Sequence, residues 1–135
     1  MFSSKSHKPS AKIDTLIGAG TRIAGDVIFS GGLRVDGEIK GNVAADVAKE
    51  STLTISEHAS IEGNIAVSHL VVNGVVIGPI RVSGFCELQS HARVTGDIEY
   101  SSIEIHLGAV VQGRLIHQGQ MAAKSVELKL AASNK

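Results

Sequence analysis

The chain has 135 residues, enough for one domain, and 43% of them are apolar, so a hydrophobic core is possible. Its 13 basic residues balance its 13 acidic residues, which gives a formal net charge of zero, and aromatic residues make up only 3% of the chain. Nucleic-acid-binding proteins usually carry a basic excess, and single-strand binders also need aromatic residues for base stacking, so no nucleic-acid partner is expected.

Residues 1–12 are rich in Ser and Lys, contain Pro9 and lack hydrophobic periodicity, which predicts a flexible tail. They contain no apolar run of the length found in secretory signals, so we expect a cytoplasmic protein. Met1 and Phe2 form an apolar tip close to Lys5, a combination that favours weak binding to an anionic membrane surface. We therefore predict a membrane-contacting tip made of Met1, Phe2 and Lys5; the alternative is an ordinary disordered start.

Two landmarks recur along the rest of the chain with a common period. The first is the pattern apolar–any–Gly–any–apolar, whose glycines lie 15 to 22 residues apart, and the second is a pair of apolar residues separated by one other residue. Two independent landmarks that share a period of about 17 residues indicate a true internal repeat. The glycines are Gly25, Gly41, Gly63, Gly78, Gly96 and Gly113, and the apolar pairs are Leu33/Val35, Leu53/Ile55, Leu70/Val72, Cys86/Leu88 and Ile103/Ile105.

Within the repeats, every second residue is apolar or Gly, as in residues 61–67, and this alternation predicts β-strands. Short strands repeating every ~17 residues predict an all-β parallel solenoid of about six coils over residues 13–119, with a triangular apolar core. The glycine suits a point where a strand bends or where a side chain would crowd the axis. The longest glycine spacing is explained by a short insertion at Val43–Glu50, and residues 120–135 are predicted to be a C-terminal tail.

The ends of a solenoid expose unpaired backbone groups and core side chains, and no segment of this chain looks like a dedicated cap. We therefore predict that both ends are docking surfaces and that the protein polymerises along its axis. The first coil is predicted to offer Leu16, Ile17, Ile23 and Val27, and the last coil Ile103, Ile105, Val111 and Leu115.

The fourth coil differs from the others because its outward positions are apolar. These positions hold Val71, Val75, Ile77 and Pro79. Such a patch predicts a flank for lateral contact or for partner binding. The alternative is that the C-terminal tail folds back and covers it.

Motifs for catalysis or ligand binding do not emerge from the sequence. The single Cys86 is interpreted as a small buried hydrophobe. There is no phosphate-binding Gly-x-x-x-x-Gly-Lys-Ser/Thr loop, and the Gly-Asp and Gly-Asn pairs lack the spacing of calcium-binding β-rolls. We predict no catalytic, cofactor or metal site. Two alternatives stay open: a monomeric solenoid that binds a partner, and a hexapeptide-repeat acyltransferase, because Ile17, Ile23, Phe29 and Val35 lie six residues apart.

Several features occur together in this chain: the coil length, the Gly-centred repeats, the motifs Val35-Asp36-Gly37 and Leu70-Val71-Val72-Asn73-Gly74, and the Met1-Phe2 start. In this combination the sequence resembles the bactofilins, which are bacterial polymer-forming cytoskeletal proteins. The resemblance implies a right-handed, triangular β-helix that forms apolar filaments, meaning filaments without a direction, through its ends and without nucleotide. It also implies a scaffold on the inner face of the cytoplasmic membrane for cell shape, stalk growth, motility or chromosome positioning. The implied partners are further copies of the chain, the inner leaflet and peptidoglycan-modifying enzymes.

Overall fold

A computed structural model of the chain describes residues 12–46 and 49–118. Within these ranges, eighteen short strands, numbered along the chain, form three parallel sheets of six strands each. Every third strand belongs to the same sheet, so three consecutive strands make one coil, and six coils stack along one axis. The predicted parallel β-solenoid of about six coils is confirmed.

The three sheets are the three sides of the solenoid. The first contains β1 (Thr15–Ile17), β4 (Gly31–Val35), β7 (Ser51–Ile55), β10 (His69–Val72), β13 (Phe85–Leu88) and β16 (Ser102–Ile105). The second contains β2 (Arg22–Ala24), β5 (Glu38–Lys40), β8 (Ser60–Glu62), β11 (Val75–Ile77), β14 (Arg93–Thr95) and β17 (Val110–Gln112). The third contains β3 (Val27–Phe29), β6 (Val43–Ala45), β9 (Ile65–Val67), β12 (Ile80–Val82), β15 (Ile98–Tyr100) and β18 (Leu115–His117).

The core consists of rows of aliphatic side chains that run parallel to the axis. In the first sheet, Leu33, Leu53, Leu70 and Cys86 are partners in successive strands, and all four are buried. These residues belong to the second landmark of the sequence repeat, so the period of that landmark reflects the register between coils. The interpretation of Cys86 as a buried hydrophobe is confirmed.

The insertion is shorter than the sequence predicted. Val43–Ala45 is strand β6, which pairs in register with β3 and β9, and the side chain of Val43 is fully buried. The chain leaves the regular coil only after Ala45. Assigning Val43–Glu50 to the insertion was therefore wrong for its first three residues, because two successive alanines carry little strand signal of their own and the register with the neighbouring coils decides.

The repeated glycine lies at the corner between the second and third sheets, where successive glycines stack on one another. A Cβ atom on Gly63 would lie less than 3.0 Å from the carbonyl oxygen of Gly41, and the same relation holds between Gly78 and Gly63 and between Gly96 and Gly78. The φ angles of Gly63, Gly78 and Gly96 are 150°, 138° and 140°, which L-residues with a side chain rarely adopt. The glycine thus permits a bend, and the preceding coil, rather than the axis, excludes a side chain.

The residue after this glycine often links its coil to the next through a side-chain hydrogen bond. The backbone N–H of Asn42 donates to Asp26 Oδ1 at 2.9 Å, and the N–H of Asn64 donates to Asn42 Oδ1 at 3.0 Å. Pro79 occupies the next position, and it has no N–H to donate to Asn64. The Gly-Asp and Gly-Asn pairs of the repeat therefore hold coils together.

The strands extend from Thr15 to His117, inside the predicted solenoid domain of residues 13–119. Apart from Lys12, the predicted tails at residues 1–12 and 120–135 lie outside the described residues. The boundaries of the three segments, and the handedness implied by the resemblance, stay predictions.

Candidate polymerisation surfaces

The two end coils expose the edges of all three sheets. Among the residues that the structure describes, β1, β2 and β3 of the first coil and β16, β17 and β18 of the sixth have a strand neighbour on one side only. The free edge of a strand can pair with a strand of another chain, so each end is a template for a further coil. We call the predicted residues of the first coil the head surface (Leu16, Ile17, Ile23, Val27) and those of the last coil the tail surface (Ile103, Ile105, Val111, Leu115).

The head surface combines core positions with one outward position. Ile17, Ile23 and Val27 continue the inward rows of the next coil; Ile17 is buried, and the other two are half-buried. Leu16 instead pairs with Arg34 on the outer face of the first sheet, and it is exposed. The structure therefore brings three of the four predicted residues to the end of the core and places Leu16 at its rim.

All four residues of the tail surface continue core rows. Ile105 follows Leu88 in the first sheet, and Leu115 follows Ile98 in the third. Leu88 and Ile98 are fully buried, whereas the side chain of Ile105 is 46% exposed. The row is the same, but no further coil follows within residues 12–46 and 49–118, so the last coil presents core side chains that this part of the chain does not cover.

Further apolar residues at both ends were not predicted from the sequence. Ile28 in the first coil is 80% exposed, and Leu107 in the turn after β16 is 96% exposed. Ile13 and Val110 are also exposed, near the head and tail surfaces respectively. The unbroken apolar run Val27–Phe29 was a usable signal for Ile28, because alternation would place a polar residue at its centre. Leu107 lies in a turn, where no periodicity marks it.

Ion pairs along the sides connect each end coil to the coil behind it. Arg22 Nε lies 3.3 Å from Glu38 Oε1 at the head, and Arg114 Nη2 lies 2.9 Å from Asp97 Oδ2 at the tail. The hydrogen bonds from Arg114 hold the pKa of Asp97 below its usual value. Both pairs are exposed, so they contribute little to the attachment of the end coils.

The predicted apolar flank is divided among two sides and a corner. Val75 and Ile77 lie together on the outer face of the second sheet and are exposed. Val71 is half-buried on the outer face of the first sheet, and Pro79 is exposed at the corner that follows β11. The structure thus brings Val75 and Ile77 together as a small patch and does not join Val71 to them.

The predicted membrane tip of Met1, Phe2 and Lys5 lies outside the described residues. None of the described segments forms a helix with the length and hydrophobicity that a membrane span requires.

Comparisons with known proteins agree with this geometry. Residues 15–116 match the family model for bactofilins, which are described as polymer-forming cytoskeletal proteins. The bactofilin BacP of Myxococcus xanthus (strain DK1622) is 29% identical over 117 residues, which cover 85% of this chain and 47% of that protein, so the chain spans about half the length of this relative. No solved structure gives a significant match. The family match covers well over half of the chain, all six coils included, and the chain therefore belongs to the bactofilin family.

Proposed function

We propose that the chain assembles end to end into apolar filaments, without nucleotide, through its head and tail surfaces. The observation that supports this most directly is that core rows which are buried in the middle coils are uncovered at the last coil. Burying one exposed Leu or Ile side chain is worth about 1.5–3 kcal/mol, and three pairs of strand edges would form hydrogen bonds at each junction. The polymer-forming character of the family supports the same conclusion.

Assembly is tested by electron microscopy and sedimentation of the purified chain without nucleotide. We expect filaments for the wild type and at most pairs of rods joined at their head surfaces for Ile105→Arg, since a charged side chain at the tail surface would be buried at the tail-to-tail junction of an apolar filament. Ile77→Arg is a matched control, because Ile77 and Ile105 are the same residue type with the same exposure of 46%, one on a side and one at an end. Circular dichroism checks that both variants fold.

Two outcomes would contradict end-to-end assembly. One is a wild-type chain that stays monomeric at micromolar concentration in light scattering, which would favour a monomeric binding module. The other is an Ile105→Arg variant that is folded and still forms filaments like those of the wild type.

We propose further that the filament lies on the inner face of the cytoplasmic membrane and is held there by the tip made of Met1, Phe2 and Lys5. One apolar tip with nearby cations binds an anionic leaflet weakly, with ~1 kcal/mol for each basic residue near the surface. A filament that displays many tips binds much more strongly, because each additional contact is intramolecular.

Membrane binding is tested by pelleting the chain with anionic vesicles. Deletion of residues 1–5 is expected to abolish pelleting, and Ile105→Arg is expected to reduce it because each assembly then displays at most two tips. Vesicles of neutral lipid serve as the control. Equal pelleting of the wild type and the deletion variant would contradict a role for the tip.

On the membrane, the proposed role is that of a structural scaffold for cell-shape and cell-envelope proteins, peptidoglycan-modifying enzymes among them, and not that of an enzyme. The cytoskeletal description of the family supports a structural role over the acyltransferase alternative. Turnover of an acyl-CoA donor by the purified chain would overturn this part of the proposal.

A further inference from the structure

Three potential metal ligands converge on the outer face of the first sheet, beside the tail surface. Glu87 of β13 and Glu104 of β16 are register partners in successive coils, and His106 follows β16 directly. His106 Nε2 lies 3.1 Å from Glu87 Oε2 and 3.0 Å from Glu104 Oε2. One ligand atom from each of the three residues lies within 4.8 Å of the other two.

The two carboxylates of this cluster lie directly opposite each other in adjacent strands. Two carboxylates placed directly opposite each other in adjacent strands repel, and Glu87 is buried, which reduces screening of its charge. A divalent cation would neutralise both carboxylates at once.

The donor atoms match one class of cation. One imidazole nitrogen and two carboxylate oxygens form a set that Zn²⁺ accepts, with bonds of about 2.0–2.2 Å and therefore donor atoms roughly 3.3 Å apart in a tetrahedral site. The observed separations of 3.0 Å and 3.1 Å differ from this by a few tenths of an ångström. Ca²⁺ and Mg²⁺ prefer oxygen ligands throughout, so the imidazole disfavours them.

We infer that Glu87, Glu104 and His106 form a site for a divalent transition-metal ion, with Zn²⁺ as the best match. The three side chains supply three ligands, and the outward position leaves a fourth for water. Gln89 Nε2 donates to Glu87 Oε2 at 3.3 Å, a contact that orients the buried ligand. Because Glu87 and Glu104 belong to successive coils, the ion would connect the last coil to the one behind it. This inference does not depend on the proposed assembly.

The test is a calorimetric titration of the untagged full chain with ZnCl₂, together with the visible absorption of the Co²⁺ form, which reports tetrahedral coordination. We expect one ion per chain, no binding of Mg²⁺, and a rise in melting temperature with Zn²⁺. His106→Asn and Glu104→Gln are each expected to weaken Zn²⁺ binding by more than about tenfold.

His91→Asn is the matched control, because His91 Nε2 lies 3.6 Å from one carboxylate oxygen, that of Glu57, and it is expected to bind like the wild type. Circular dichroism without metal checks that the variants fold. The inference is overturned if the wild type does not bind Zn²⁺, if His106→Asn and Glu104→Gln bind Zn²⁺ as tightly as the wild type, or if His91→Asn weakens binding as much as they do.

Discussion

At one corner of each coil the chain has a glycine, and the absence of a side chain there has a large effect on the fold. Gly96 stacks so closely on Gly78 that a Cβ atom would overlap the carbonyl oxygen of the preceding coil. Gly25 in the first coil has the same φ of 140° as Gly96, but it has no atom within 4 Å of the position of a Cβ. A comparison of Gly25 with Gly96 therefore separates two contributions to the cost of adding a side chain, which are backbone strain and a clash between coils.

Gly96→Ala is therefore expected to destabilise the protein more than Gly25→Ala. Both variants incur the strain of a positive φ, of order 1–3 kcal/mol, and Gly96→Ala must also displace the neighbouring backbone, which we expect to cost at least about 2 kcal/mol more. The free energy of unfolding in urea measures the difference. Equal losses would mean that the coils move apart to accept a side chain.

Cys86 is the single thiol of the chain, and its chemistry follows from its place in a core row. Burial, with a smaller contribution from the charge of Glu87, raises the pKa of Cys86 from 9.0 to about 12. We expect alkylation by iodoacetamide at pH 8 to be at least about a hundredfold slower in the folded chain than in urea. Comparable rates would show that the core opens readily.

The same shift predicts a pH dependence of stability. The folded state favours the protonated thiol, so its contribution to stability is fully present below the unfolded-state pKa near 9 and is lost as the pH rises toward about 12. Cys86→Ala should remove this decline, and urea denaturation across that pH range measures it. A decline of the same size in the variant would assign it to other groups.

At the scale of single elements, strands of three to five residues depend on their neighbours in the stack. Isolated strands of this length are unstable, and here each is held by parallel partners and by side-chain bonds at the corners. Asn42 accepts a hydrogen bond from the backbone of Asn64, whereas Asn64 faces Pro79, which has no N–H. Two asparagines at equivalent positions thus differ in one bond.

Asn42→Ala is expected to lower the free energy of unfolding by about 1 kcal/mol, the usual value of one hydrogen bond, and Asn64→Ala by less than about 0.5 kcal/mol. Thermal and urea denaturation of both variants give the comparison. Equal effects would mean that the bond between coils contributes nothing at this corner.

At the scale of the whole molecule, the rod has two kinds of apolar surface, one at its ends and one on its side. The ends are the surfaces proposed to mediate assembly, and the patch of Val75 and Ile77 is the candidate for lateral contact. Since the patch lies beside the axis, changing it should leave filaments intact.

Val75→Lys combined with Ile77→Lys is expected to preserve filaments and to reduce their bundling, because lysines on one flank repel those on a facing flank. Thr95→Lys is the control, since Thr95 is the exposed neighbour of Ile77 in the same sheet. Electron microscopy counts bundled and single filaments. Unchanged bundling in the double-lysine variant would contradict a role of the patch in lateral contact. Deletion of residues 120–135 tests the alternative, since increased bundling would indicate that the C-terminal tail covers the patch.

Periodicity along the chain was sufficient to predict the number of coils, the strands and the core rows. Leu33, Leu53 and Leu70 recur at about the coil length because each side chain packs on the one in the preceding coil. The spacing of these residues along the sequence therefore predicts the register between coils. The insertion was misplaced at Val43–Ala45, where alanines weaken the strand signal and pairing with adjacent coils decides.

Only the tertiary structure decided which side chains are uncovered and which distant ones meet. Ile105 and Leu88 occupy the same row and have the same alternation in sequence, yet one is exposed and the other buried, since exposure depends on whether another coil follows. Glu87 and Glu104 are separated by a full coil in the chain and become neighbours only through strand register, and the turn after β16 then directs His106 toward both. The spacing along the sequence predicts the features that repeat in every coil. Which core side chains stay exposed depends on the position of the first and last coils, and which distant side chains meet depends on the register between coils.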